Sequence, residues 1–179
     1  MSVDSCLSVA RQRPSPNCSE RPDGMAVDLL VIHNISLPPG HYGGGHIEAL
    51  FDNRLDAAAH PYFRDIASLK VSAHLLIDRE GNVTQFVPFD RKAWHAGQSS
   101  FQGREACNDF SIGVELEGCD DEAFTDRQYE RLIEVTRLLM EAYPGITLDR
   151  IVGHSDIAPG RKTDPGPCFD WKRLREGCR

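Results

Sequence analysis

The longest unbroken apolar run in this chain is Leu29-Leu30-Val31-Ile32, and its shortness sets what the chain can become. A membrane-spanning helix needs about 20 apolar residues in succession, so none is expected. Inside AVDLLVIHN, residues 26 to 34, the run instead has the length, the β-branching and the near-continuous apolar character of a strand covered on both faces. Such a strand requires a sheet with other layers packed against it. With 179 residues, 40% of them hydrophobic, the chain is long enough for one such domain and short for two.

The flanking segments supply the other layers. Residues 1 to 25 carry Arg, Pro, Ser and Asp without periodicity and read as an extended arm, so the domain is expected over residues 26 to 179. His33 closes the first strand. ISLPPGHYGGGHIEAL (35 to 50) reads as a long irregular loop, because Pro-Pro-Gly and three successive glycines suit neither a helix nor a ladder. The glycines at 43 to 45 suggest a segment that can shift over a site. HPYFRDIASL predicts a helix over 60–69, with Phe63, Ile66 and Leu69 on one side and Pro61 in its first turn. VSAHLLID and NVTQFVP flank Arg79-Glu80-Gly81-Asn82 and predict a β-hairpin.

SIGVELEG (111 to 118) alternates as a strand, with Ile112, Val114 and Leu116 on one face and Glu115 and Glu117 on the other. A helix is expected from Asp126 to Tyr143, opened by a capping box of Thr125 and Gln128 and stopped by Pro144-Gly145. RIVGH adds a short strand and FDWKRLRE a last helix. Strands separated by helices in a chain of this size predict an α/β fold, a central mixed β-sheet flanked by helices.

Charge and cysteines narrow the partners. A net charge of −7 argues against binding nucleic acid or an anionic membrane surface, since the averaged field repels both. The first 25 residues lack the basic, apolar and small-residue order of a secretory signal. Six cysteines without a CxxC pair read as free thiols. Both features point to the cytoplasm.

Among seven histidines, His33 and His154 share a context: each ends a short apolar strand and is followed by irregular chain, where ligands reach strand ends. Two imidazoles so placed suit Zn²⁺, which takes neutral nitrogen donors and commonly adds one carboxylate. Asp156, Asp164 and Asp170 all lie within reach as the third ligand, and spacing does not choose among them; the bland reading is that they cap turns. Glu115 and Glu117 are roughly 6.6 Å apart between Cα atoms. They suit the carboxylate pair of a glycoside hydrolase, an exposed polar face or, beside a metal, a general base, for which Glu115 is the better placed. Lys162 is a candidate oxyanion donor, and Trp94 in AWHAG a candidate stacking surface for a sugar. No GxSxG, P-loop or GxGxxG motif is present.

Taken together, VIHNISLPPG, HPYF, VSAHLLI, VPFDRKAWHAG, CNDFSIGVELEG and GHSDIAPGRKTDPGP resemble the zinc-dependent N-acetylmuramoyl-L-alanine amidases, whose fold is shared with peptidoglycan-recognition proteins. The likeness runs from Pro14 to Trp171. It implies Zn²⁺ held by His33, His154 and Asp164, with Glu115 as catalytic base and Lys162 assisting at the transition state. It also implies substrate contacts at Asn34, Tyr62, Trp94, His95 and Asn108, and at Lys70, where an arginine is expected. Ala106 likewise stands where related enzymes carry an arginine, so the grip on the carboxylates of a stem peptide lacks a bidentate fork at one position and a charge at the other. The implied reaction is hydrolysis of the amide between the lactyl group of 1,6-anhydro-N-acetylmuramic acid and L-alanine. The implied enzyme is a monomer that takes small-molecule muropeptides in cytoplasmic peptidoglycan recycling. A non-catalytic muropeptide-binding module on the same fold is the rival reading.

Overall fold

The structure, a computed structural model, describes residues 5–179, and regular structure starts before the expected Ala26. Arg11–Gln12 (β1) pairs in parallel with Thr84 and Gln85, and Cys18–Glu20 (β2) pairs antiparallel with Arg91–Ala93. Residues 1 to 4 of the expected arm lie outside the described residues. The rest is tied down: Leu7 is 3% exposed, and Asn17 Nδ2 donates to the carbonyls of Phe51 and Val71. The Arg21 guanidinium donates to the carbonyls of Phe89, Asn108, Asp109 and Ser111. Side-chain donors satisfying distant loop carbonyls leave no hydrophobic period, which is why composition alone presents this segment as an arm.

Leu29–Ile35 (β3) is the expected buried strand, although it runs two residues past His33. The loop expected over 35–50 ends in a helix, His46–Phe51 (α1), which turns Ile47, Leu50 and Phe51 inward. The helix expected over 60–69 contracts to one turn, Phe63–Ile66 (α2). Phe63 is buried there, but Leu69 is 45% exposed; with no core to face at Leu69, the helical period has nothing to stabilise a second turn. Leu75–Ile77 (β4) and Val83–Gln85 (β5) form the expected hairpin. Arg91–Ala93 (β6) follows, then the small hairpin of Ser100–Phe101 (β7) and Arg104–Glu105 (β8).

Ser111–Glu117 (β9) is buried along its whole length. Asp126–Ala142 (α3) opens with both halves of the Thr125–Gln128 capping box in place. Gln128 also donates through Nε2 to the carbonyls of Ile77 and Glu117, tying the helix start to two strands. Ile151–Gly153 (β10), His154–Ile157 (α4) and Trp171–Gly177 (α5) complete the chain. Among the described residues no helix is long and apolar enough to cross a membrane. All six cysteines are free, as expected.

The central sheet has the order β1-β5-β4-β9-β3-β10. Four neighbouring strands, β4, β9, β3 and β10, run parallel; β5 is antiparallel to β4, so the sheet is mixed. On one face Leu30, Ile32, Ile112, Val114 and Leu116 meet Tyr129, Leu132, Val135 and Leu139 of α3. Each such fully buried side chain contributes about 1.5–3 kcal/mol, enough to fix which face of each strand turns to α3. Leu29 and Val31 turn the other way, onto Phe110, Val152 and Ile157. Alternation carries His33 and Glu115 to that second face, away from α3. There α1 and α2 lie over Leu76 and Phe86, and a cleft opens beside them.

Candidate metal centre

The register of the parallel strands builds the site. His33 on β3 is the direct partner of Glu115 on β9, and Gly153 of β10 is level with Ile32. His154, the next residue, therefore emerges beside His33 at the carboxyl ends of the strands, where open sheets of this kind form their crevices. Asp164 arrives from the loop after α4. That loop is held by backbone bonds from Ser155 to the Asp164 carbonyl and from Lys162 to the Ala158 carbonyl. Asn34 braces it, donating to the Pro165 carbonyl at 3.0 Å and to Asp120 Oδ1 at 2.7 Å.

Three donor atoms converge. His33 Nδ1 lies 3.0 Å from His154 Nδ1 and 3.0 Å from Asp164 Oδ2, and His154 Nδ1 lies 3.1 Å from the same oxygen. His154 Nε2 faces the Ala96 carbonyl at 3.0 Å. A carbonyl only accepts, so the proton sits on Nε2 and the Nδ1 lone pair points into the centre. Burial pulls His33 down to about 4, leaving it neutral at neutral pH, so its contact with Asp164 is not an ion pair. Burial would raise Asp164, but the adjacent His154 and His33 rings override it and hold the carboxyl well below its usual range. Two imidazole nitrogens and an ionised carboxylate form a donor set that can hold a divalent metal ion.

Glu115 sits beside this centre. Burial, reinforced by the charge of Asp164, raises its carboxyl well above the usual range, with Lys162 pulling the other way. Its Oε2 is buried without a partner among the protein groups. The cleft in front of both has a volume of about 560 Å³, and its lining includes polar His33, Asn34, Glu115 and Lys162 and apolar Leu37, Ile66 and Leu69.

The N-acetylmuramoyl-L-alanine amidase family model matches residues 23–167 of the sequence, a span that contains every one of these groups. The chain belongs to this amidase family. The amidase is 60% identical over 166 residues to the 1,6-anhydro-N-acetylmuramyl-L-alanine amidase AmpD of Escherichia coli strain K12, covering 93% of this chain and 90% of that protein. The crystal structure of a Se-Met AmpD derivative matches it with a TM-score of 0.97 at 57% identity over 100% of both chains. More distant is the amidase AmiD of E. coli, solved with the substrate anhydro-N-acetylmuramic acid-L-Ala-D-gamma-Glu-L-Lys. It matches with a TM-score of 0.62 at 28% identity, over 88% of this chain and 60% of that one.

Of the three aspartates that spacing left open, Asp164 alone joins the histidines. Asp156 accepts from the Gly153 amide at 2.7 Å, and Asp170 caps α5 by accepting from the Arg173 amide at 2.9 Å. Glu117 is also engaged elsewhere: its two oxygens accept from the amides of Gly43 and Arg79. It is therefore not free to act with Glu115 as a glycosidase pair. Tyr62, 40% exposed, and Trp94 line the cleft. The Trp94 indole N–H is turned onto Ser19 Oγ at 3.0 Å.

Two expected contacts fall outside the cleft. Lys70 is exposed and not among its lining residues, because the turn after α2 directs it to solvent. Asn108 is likewise absent from the lining, its Oδ1 taken by the amides of His95 and Ala96. Ala106 lines a neighbouring cleft that shares Arg161 with the first. His95 is 9% exposed and stands behind His33, with both ring nitrogens occupied. Asp120 lines the cleft and was not singled out from sequence; within the acidic run Asp120-Asp121-Glu122 nothing distinguishes it.

Proposed function

We propose that this amidase cleaves the amide between the lactyl group of 1,6-anhydro-N-acetylmuramic acid and the L-alanine of muropeptides, with Zn²⁺ at His33, His154 and Asp164. The observation that carries the reading is the convergence of two imidazole Nδ1 atoms and a carboxylate oxygen within 3.1 Å of one another beside a buried, unpaired Glu115 oxygen. The donor set is the one zinc takes in catalytic sites, nitrogen and oxygen from three side chains. When bound there, Zn²⁺ supplies positive charge that polarises the scissile carbonyl and makes water more acidic.

The side chains do the rest. Glu115 accepts a proton from the attacking water and hands it to the departing alanine nitrogen; the burial that raises its carboxyl gives it the proton affinity to hold that proton between the two steps. Lys162, exposed on the loop that carries Asp164, directs its ammonium toward the oxygen on which negative charge develops. Asn34 keeps that loop in register through the Pro165 carbonyl. Tyr62 and Trp94 offer ring faces to the sugar and stem peptide along the cleft wall.

Likeness to AmpD over nearly the whole chain supports extending the reading to cytoplasmic peptidoglycan recycling by a monomer acting on soluble muropeptides. The test is incubation of anhydromuropeptide with zinc-loaded and chelator-stripped protein, followed by separation of products by mass. Zinc-loaded protein is expected to release free stem peptide beginning with L-alanine, and stripped protein to release none until zinc is restored. Binding without cleavage by the zinc-loaded protein would favour a recognition module over an enzyme.

A further inference from the structure

Both imidazoles of the metal centre turn their second nitrogens toward the same dipeptide. His33 Nε2 lies 2.9 Å from His95 Nδ1, and His154 Nε2 lies 3.0 Å from the Ala96 carbonyl oxygen. His154 donates to that carbonyl. His33 presents Nδ1 to the centre, so its own proton lies on Nε2 and is donated to His95 Nδ1. The His95 proton then lies on Nε2, 3.0 Å from Ser111 Oγ, which accepts it. Every ring nitrogen on this line is matched, donor to acceptor, with all three imidazoles neutral.

The dipeptide is itself fastened. Asn108 Oδ1 accepts from the backbone amides of His95 at 3.1 Å and Ala96 at 2.8 Å. Arg161 Nη2 donates to the same Ala96 carbonyl at 2.6 Å. The His95 ring fills the space in which residue 113 would carry a side chain: a Cβ built on Gly113 would stand 2.5 Å from the ring Cγ. The glycine in the middle of β9 is thus required by close approach of the ring.

We propose that His95 and Ala96, anchored by Asn108 and seated over Gly113, are a positioning clamp that orients both metal-binding imidazoles through their outer nitrogens. On this inference His95 and Asn108 serve the metal centre and not the substrate. It rests on the reading of His33, His154 and Asp164 as the metal ligands. Partners of this kind fix tautomer and ring orientation, and their loss typically weakens metal binding about 10–100-fold.

The test measures zinc dissociation constants by competition with a chromophoric chelator for the wild type, Asp164→Ala, Asn108→Leu, Asn108→Asp and His95→Phe. Asn108→Leu removes the acceptor, and His95→Phe keeps a ring over Gly113 without one; both are expected to weaken zinc about 10–100-fold. Asn108→Asp retains an oxygen for both amides and is expected to stay near the wild type. KM for anhydromuropeptide at saturating zinc is expected to be unchanged in all three clamp variants. In zinc-loaded wild type, long-range ¹H–¹⁵N NMR is expected to find the His33, His95 and His154 protons on Nε2, a readout that no folding defect can mimic. Wild-type zinc affinity in both Asn108→Leu and His95→Phe, a raised KM with zinc affinity intact, or a His95 proton on Nδ1 would each overturn the clamp while leaving the metal reading standing. Wild type that binds zinc no better than Asp164→Ala would overturn the metal reading and the clamp with it.

Discussion

Replacing His74 by glutamine is expected to flatten the acid side of the stability curve of the metal-free protein. His74 is 0% exposed. Its Nδ1 accepts from the Gly113 amide at 3.0 Å and its Nε2 donates to the Arg91 carbonyl at 3.0 Å, so a second proton on the ring would face an N–H. The Arg21 guanidinium lies 3.2 Å from Nε2. Burial first, then the Arg21 charge, pull the imidazole down to about 3. The folded value lies below the unfolded value of about 6.5, so the unfolded chain takes the proton first. The contribution to stability is complete above pH 6.5 and is lost as the pH falls toward the folded value.

At pH 5 the unfolded chain holds almost one proton at this position and the folded chain almost none. The loss relative to neutral pH is about 2 kcal/mol, or roughly 4–8 °C in Tm for a chain of this size. Glutamine offers an oxygen and an N–H to the same two partners but does not titrate. The assay is urea unfolding of both proteins at pH 7.5 and pH 5 in the presence of chelator. His33, His95 and Glu115 titrate in both proteins, so their contributions cancel in the comparison. The wild type is expected to lose about 2 kcal/mol more than the variant between the two pH values, although the variant starts less stable. Equal losses would refute the reasoning, because they would mean that His74 takes its proton in the folded state as readily as in the unfolded one.

Two other substitutions address the base and the N-terminal segment. Glu115→Gln is expected to lower kcat by about 10²–10⁴-fold while bound zinc, measured by elemental analysis, stays at the wild-type level; substantial residual turnover would place the base elsewhere. Leu7→Ala is expected to destabilise the fold by about 2–5 kcal/mol in urea unfolding, and a loss within about 0.5 kcal/mol would mean that the segment before β1 does not pack.

Elements whose signal lies within a few neighbouring residues were legible before folding was considered. The alternation of Ser111–Glu117 and the reciprocal Thr125–Gln128 cap at the start of α3 are of that kind, and both stand where expected. Helix α1 also had a local signal, Ile47, Leu50 and Phe51 at helical spacing, but the three preceding glycines obscured it. The segment before Ala26 had none: its strands are two and three residues long, and their partners lie far along the chain. At the site, the strand-end context of His33 and His154 singled them out among seven histidines. Neither that context nor spacing could choose Asp164, since what separates it from Asp156 and Asp170 at the site is what each meets in space.

By itself the sequence determined the secondary elements with strong periods or caps, the α/β class and, through its resemblance to a family, the three side chains His33, His154 and Asp164 that converge in the fold. Only the tertiary structure decided that His33 stands level with Glu115 across two parallel strands, that Lys70 and Asn108 lie outside the cleft, and that His95 stands behind His33. The reason is the range of the forces involved. Helical and strand periods depend on residues a few positions apart, whereas strand register, desolvation and the choice of hydrogen-bond partner depend on which distant segment packs across the sheet.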